Sequence, residues 1–193
     1  MSVEPRAYVS IADYLARERQ EEGRHEYWDG EVVAMGGASP AHNGICWNLA
    51  GALHPQLSGS DCRGFISDLR VRVPTQNRYV YPDVVAVCGE PQFEQGDVEA
   101  LTNPTLVIEV LSPSTEERDR GVKLFGYRSL PSMSVCLLVA QDRGWVEHWI
   151  RQEDGRWLVA EITDRSATLE LPEIGCRLPL DAVYAGIELA EAT

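Results

Sequence analysis

The spacing of apolar residues switches between a helical and an extended period along this chain, and the switches mark out its elements. Ile11, Tyr14 and Leu15 share one side of a predicted helix over about 11–22, with Ser10 as its cap and Gly23 as its stop. Residues 24–28 and 31–35 flank Asp29-Gly30 and read as a hairpin with a two-residue turn. After Gly36-Gly37, Ser39-Pro40 opens a second helix in which Ile45, Leu49 and Leu53 recur at four-residue spacing. Pro55 is expected to end or kink it.

From about Cys62 the pattern becomes extended. Strands are expected over 65–73, 79–88, 105–111, 135–140, 145–150 and 157–162, with a turn at Asp142-Arg143-Gly144. Residues 91–103 read as a polar loop with room for a short helix. Ser114-Thr115-Glu116-Glu117 matches a capping box and predicts a helix over about 115–130. Gly121 and Gly126 inside it each cost roughly 1 kcal/mol relative to alanine, so packing must hold that helix. A weak terminal helix over 179–189 completes an α+β domain expected to span 1–193.

Composition narrows the classes. Hydrophobic residues make up 44% and charged residues 24%, the proportions of a soluble globular protein. No run approaches 18 apolar residues, so no membrane span is expected. The stretch Met1–Arg6 lacks the apolar core of a signal peptide, which makes the cytoplasm the expected location. Five scattered cysteines show no CxxC spacing, and Cys88 and Cys136 sit in apolar runs where reduced cysteine serves as a small core residue. Neither a disulfide framework nor a zinc cluster is expected. A net charge of −13 argues against coating nucleic acid through a general basic surface, but a divalent cation can offset carboxylates at a scissile phosphate. The same charge predicts weak, salt-sensitive affinity for long duplexes.

The chemistry concentrates in two apolar stretches. Tyr81-Pro82-Asp83-Val84-Val85 and Leu106-Val107-Ile108-Glu109-Val110-Leu111 each carry one carboxylate where burial is costly without a partner, a proton or a metal. Strand alternation sets Val107, Glu109 and Leu111 on one face, so Glu109 is a lone carboxylate on an apolar face. Two carboxylates from adjacent strands, a main-chain carbonyl such as that of Val110, and waters make a reasonable Mg2+ site. Lys123 follows on the next helix, with Tyr127 one turn on. The combination suggests metal-assisted phosphodiester hydrolysis. The competing reading makes Asp83 a turn residue after Pro82 and pairs Glu109 with Arg118 or Arg120.

The series His25-Glu26-Tyr27-Trp28-Asp29-Gly30-Glu31, Ser39-Pro40-Ala41-His42, Ser67-Asp68-Leu69-Arg70-Val71, Tyr81-Pro82-Asp83 and Glu109-Val110-Leu111-Ser112-Pro113-Ser114-Thr115, with Lys123 and Tyr127, resembles the Uma2 family from about residue 10 to 185. That family groups bacterial proteins regarded as endonucleases, formerly a domain of unknown function, with the restriction-endonuclease-like PD-(D/E)xK fold. The resemblance implies a mixed β-sheet flanked by helices, elaborated by the N-terminal helix and hairpin. It implies metal ligation by Asp83 and Glu109, and Lys123 as catalytic lysine. In the wider superfamily the lysine stands two residues after the glutamate; Leu111 occupies that place here, so the role looks transferred to the following helix.

Glu26 matches an acidic position that could complete the metal shell, or it is a solvated hairpin carboxylate. His42 could contact a phosphate or hold a carboxylate, or cap its helix. Asp68 either supports the site from behind or pairs with Arg70 or Arg72. Tyr127 and Arg120 join the candidates for substrate contact or support. Where many relatives carry a Tyr-Trp-hydrophobic-hydrophobic-Asp pattern on the strand after the helix, this chain has Ser134-Val135-Cys136-Leu137-Leu138-Val139-Ala140, a departure that bears on the strand's end and not on the metal centre. The implied reaction is Mg2+-dependent hydrolysis (Mn2+ substituting) of nucleic acid, most directly DNA, by a homodimer. The rivals are an inactive interaction or DNA-binding module and a hydrolase of small phosphate esters.

Overall fold

Two tight corners of the chain, at Ser67 and at Pro82, each carry it from one sheet to the other. The structure, a computed structural model, describes residues 7–94 and 99–189. Its main elements are helix α1 (Ile11–Gln20), strands β1 (His25–Trp28) and β2 (Glu31–Ala34), helix α2 (Pro40–Leu57), and strands β3 (Cys62–Ile66), β4 (Arg70–Val73), β5 (Arg78–Val80), β6 (Val84–Cys88), β7 (Phe93–Glu94), β8 (Ala100–Leu101) and β9 (Leu106–Leu111). A composite helix, α3, follows: Glu116–Arg118 is α-helical, Asp119–Lys123 π-helical and Leu124–Ser129 α-helical. Strands β10 (Val135–Ala140), β11 (Val146–Arg151), β12 (Trp157–Ile162), β13 (Thr168–Leu171) and β14 (Cys176–Pro179) and a single helical turn, α4 (Leu180–Val183), complete the order.

The first sheet runs β2-β1-β5-β4-β8-β7 and the second β12-β11-β10-β9-β6-β3, with β13–β14 a separate hairpin. Within them β9–β10 and β4–β8 are the parallel pairs. Alternation along β9 gives the second sheet two apolar faces. Leu106, Ile108 and Val110 meet Ile45, Leu49, Leu53 and Leu57 of α2. Val107 and Leu111 meet Leu124 and Tyr127 of α3 and Val71, Val73 and Val80 of the first sheet. The second sheet is thus mixed and covered by helices on both faces, in the α+β class expected.

Several boundaries differ from expectation, each for a local reason. The stretch 65–73 is two strands, because Ser67 takes a positive φ of 43° and turns the chain from β3 into β4. The stretch 79–88 likewise splits into β5 and β6 at Pro82, which has no N–H to give a ladder. The two corners touch, Ser67 N–H donating to the Asp83 carbonyl at 2.9 Å. Pro55 neither ends nor unseats α2, which continues to Leu57 because Leu53 and Leu57 are buried in the core. The capping box is not formed: Thr115 makes no side-chain cap, and the Ser112 carbonyl accepts from both Thr115 and Glu116 N–H.

The loop 91–103 carries β7 and β8 rather than a helix, its residues 95–98 lying outside the described residues. The terminal helix shrinks to α4, and the β13–β14 hairpin was not foreseen. The Asp29-Gly30 turn has positive φ at both residues, as the hairpin's twist requires. The expectation of reduced cysteines fails at Cys62 and Cys88, which form a disulfide. They are direct partners in the β3–β6 register, a pairing that spacing along the chain does not reveal. The expectation for Met1–Arg6 lies outside the described residues. Among the described residues no helix is long and apolar enough to cross a membrane.

Candidate active site

The corner at Pro82 delivers Asp83 to the seam between the sheets. In the β6–β9 register Val84 lies opposite Ile108, and one further step sets Asp83 opposite Glu109. Asp83 Oδ2 accepts the Val110 N–H at 2.7 Å, which fixes the carboxylate at the end of β9. Glu26 arrives from the first sheet, on the face of β1 opposite Tyr27; Tyr27 is buried with Tyr14 and Tyr79. Its Oε1 accepts from Tyr81 N–H at 3.3 Å and its Oε2 from the Trp28 indole at 3.2 Å.

The π-helical turn of α3 brings the ammonium. Lys123 Nζ stands 3.0 Å from Glu26 Oε1, 3.0 Å from Glu109 Oε1 and 3.3 Å from Asp119 Oδ1. Tyr127 donates its hydroxyl to the same Glu109 oxygen at 2.5 Å. Lys123 is the sole lysine of the sequence; every other fixed cation is arginine. Glu26, Glu109, Asp119 and Lys123 are 5%, 3%, 3% and 7% exposed, so each charge is stable there only through the others. These groups, with Asp83, His42, Ser112, Thr115 and Arg118, line a cleft of about 650 Å³.

The electrostatics are unbalanced. Three carboxylates contact one ammonium, and a fourth, Asp83, lines the same cleft. Burial pushes the Glu109 carboxyl well above the ordinary carboxylate range; Lys123 opposes the shift, Asp119 and Asp83 add to it, and the Tyr127 bond works against it. Burial likewise raises Asp119, against the pull of Lys123 and of a Thr115 hydrogen bond. Burial acts to lower the Lys123 pKa, but Glu109, Glu26 and Asp119 outweigh it and hold that pKa well above the usual lysine value. Burial acts to lower the pKa of His42 as well, yet Asp83, Asp119 and the Val110 carbonyl prevail and raise it. His42 Nε2 lies 3.2 Å from Asp83 Oδ2.

The predicted residues therefore divide. Asp83, Glu109, Lys123, Glu26, Tyr127 and His42 converge, and Glu109 pairs with Lys123 rather than with Arg118 or Arg120. Asp68 lines the cleft mouth and pairs with Arg24 at 2.7 Å, not with Arg70 or Arg72. Arg120 is not among the cleft-lining residues: its guanidinium bonds Glu116 and Glu147 and lies over Trp145. Sequence reasoning missed Asp119, although its four-residue spacing from Lys123 on one helix was readable. It also missed Glu18 on α1, which has no local signal. Glu18 accepts from Arg70 at 3.0 Å, the Tyr81 hydroxyl at 2.7 Å and His25 N–H at 3.1 Å, tying α1 to the strand end that holds Glu26.

Comparison with known proteins gives a consistent picture. The chain is 36% identical over 179 residues to the uncharacterized protein slr1290 of Synechocystis sp. (strain ATCC 27184 / PCC 6803 / Kazusa), covering 93% of each chain. It is 35% identical over 162 residues to the uncharacterized protein sll1609 of the same organism, covering 84% of this chain and 92% of that one. A crystal structure from Anabaena variabilis ATCC 29413, described as a "putative nuclease belonging to DUF820", shares the fold with a TM-score of 0.73, covering 92% of this chain and 98% of that one at 16% identity. Residues 11–181 match the model of the Uma2 family, described as "Putative restriction endonuclease", and the chain belongs to that family.

Proposed function

We propose that this protein is a metal-dependent phosphodiester hydrolase acting on nucleic acid, with DNA as the substrate class. The observation that carries this reading is the charge imbalance: four carboxylates and one ammonium share a nearly dry cleft floor, a deficit of positive charge that a divalent cation relieves. The donor set suits a hard ion such as Mg2+, or Mn2+ in its place. Glu109 spends Oε1 on Tyr127 and Lys123, and Asp83 spends Oδ2 on Val110 and His42, so Oε2 and Oδ1 are the atoms for ligation. The chemistry such an ion supplies is Lewis-acid polarisation of a phosphoryl oxygen and a lowered pKa for water.

The chain's own residues divide the remaining work. Lys123, protonated and fixed by three carboxylates, orients a water and steadies charge growing on phosphorus. Tyr127 fixes the Glu109 carboxylate, and His42 fixes Asp83. Glu26 and Asp119 hold the ammonium in place. Arg118, at the cleft wall, suits a flanking phosphate. The working assembly is a cytoplasmic homodimer that grips a duplex, testable by light scattering on the purified chain.

The test combines calorimetry and turnover. Mn2+ and Mg2+ should bind the wild type, bind Glu109→Ala far more weakly, and support nicking of supercoiled plasmid that Lys123→Met abolishes. Identical isotherms for wild type and Glu109→Ala would remove the reading. Turnover of a chromogenic phosphodiester without plasmid nicking would move the substrate class to small phosphate esters.

A further inference from the structure

His42, Cys46 and Asp83 make a second donor cluster beside the carboxylates, different from them in chemical kind. Ser39 Oγ accepts the His42 N–H at 3.1 Å and so sets His42 in the first turn of α2. Cys46 follows one helical turn later on the same face. Cys46 Sγ lies 3.6 Å from His42 Nδ1, His42 Nε2 lies 3.2 Å from Asp83 Oδ2, and one donor atom from each residue falls within 4.8 Å of the others. Tetrahedral zinc, with bonds of about 2.0–2.3 Å, separates its donor atoms by roughly 3.3–3.8 Å. The imidazole presents Nδ1 to Cys46 and Nε2 to Asp83, so an ion held by one ring nitrogen requires the ring and the thiol to turn towards a shared centre.

We infer that His42, Cys46 and Asp83 bind a thiophilic divalent ion of the zinc or cobalt type, with a fourth position open to the cleft. Imidazole and thiolate favour such ions, whereas magnesium demands oxygen donors. One nitrogen, one sulfur and one carboxylate oxygen with an open position is the donor pattern of a three-ligand zinc site. As the sulfur–metal bond forms the S–H bond breaks, and the proton leaves to solvent. Asp83 belongs to both donor sets, so occupancy by the thiophilic ion competes with the hydrolytic cation. That competition rests on the proposed function; the binding itself does not.

Cobalt(II) titrated into the reduced full-length chain is the direct test. The wild type should develop a thiolate-to-cobalt charge-transfer band with the visible absorption of tetrahedral cobalt, and Cys46→Ser should lack the band. Zinc affinity by calorimetry should fall about tenfold or more in Cys46→Ser and in His42→Gln. Far-UV circular dichroism and thermal melting of both variants check that they are folded. No charge-transfer band in the wild type, or an unchanged band and zinc affinity in folded Cys46→Ser, overturns the inference. A cobalt–thiolate band in a protein that binds no Mg2+ or Mn2+ would instead sink the hydrolase reading and leave this site standing.

Discussion

Lys123 meets Glu109 from a helix rather than from the neighbouring position on its own strand. Its Nζ stands 3.0 Å from Glu109 Oε1 because the turn Asp119–Lys123 is π-helical and carries the side chain into the cleft floor. A π-turn spends local hydrogen-bond regularity for position, and such turns gather at functional sites.

That pairing can be dissected by a double-mutant cycle. Lys123→Met leaves three buried carboxylates facing no cation and should cost about 3–5 kcal/mol of stability, measured by urea denaturation. Adding Glu109→Gln removes one of the stranded charges, so the double variant should be more stable than Lys123→Met alone. Additive losses would mean that the two groups do not share one electrostatic site.

The Tyr127 hydroxyl supports the ionised form of Glu109. Tyr127→Phe should cost about 1–3 kcal/mol for the lost buried bond. It should also raise the Glu109 pKa further, so Mn2+ affinity should fall away at a higher pH than in the wild type. Calorimetry across a pH series reads this directly; superimposable pH profiles would contradict the assigned bond.

How much of this was legible in the chain depended on whether the cause was local. The strand around Glu109, the Asp29-Gly30 turn and the face shared by Lys123 and Tyr127 follow from two- and four-residue periods, which a sequence displays. The split of 79–88 into two strands follows from a corner whose partner, Ser67, is remote in sequence. Apolar residues run up to the corner and on beyond it, so composition alone merges the strands. Glu18 and the Cys62–Cys88 pair are set by which elements pack together, information that no short window contains. Arg120 was misplaced for the converse reason: its neighbour Asp119 faces the cleft, and on a helix adjacent residues point in different directions.

The Glu18 tether gives α1 a measurable role. Glu18→Ala strands the buried Arg70 guanidinium and should cost about 3–5 kcal/mol. Replacing Arg70 by leucine in the same chain should restore part of the loss. If Glu18→Ala melts like the wild type, α1 is not coupled to the sheet through this residue.

His148, buried on β11, supplies an acid-sensitive term of its own. Burial lowers its pKa below the ordinary value of 6.5, and among the described residues its Nε2 has no hydrogen-bond partner. The unfolded chain therefore takes up this proton first, so stability is lost as pH falls below about 6.5 towards the folded-state value. The raised carboxyls of Glu109 and Asp119 act in the opposite sense, since the folded form protonates them first on acidification. The difference in urea midpoint between wild type and His148→Leu should hence shift with pH below about 6.5 and be flat above it.

The solitary ε-amine at position 123 turns the interior of this molecule into an addressable point. An acylating or dansylating reagent has one side-chain amine to find in the whole chain, the α-amino terminus aside. That amine is held by three acids on the cleft floor, so its rate of covalent capture becomes a clock for how often it leaves them.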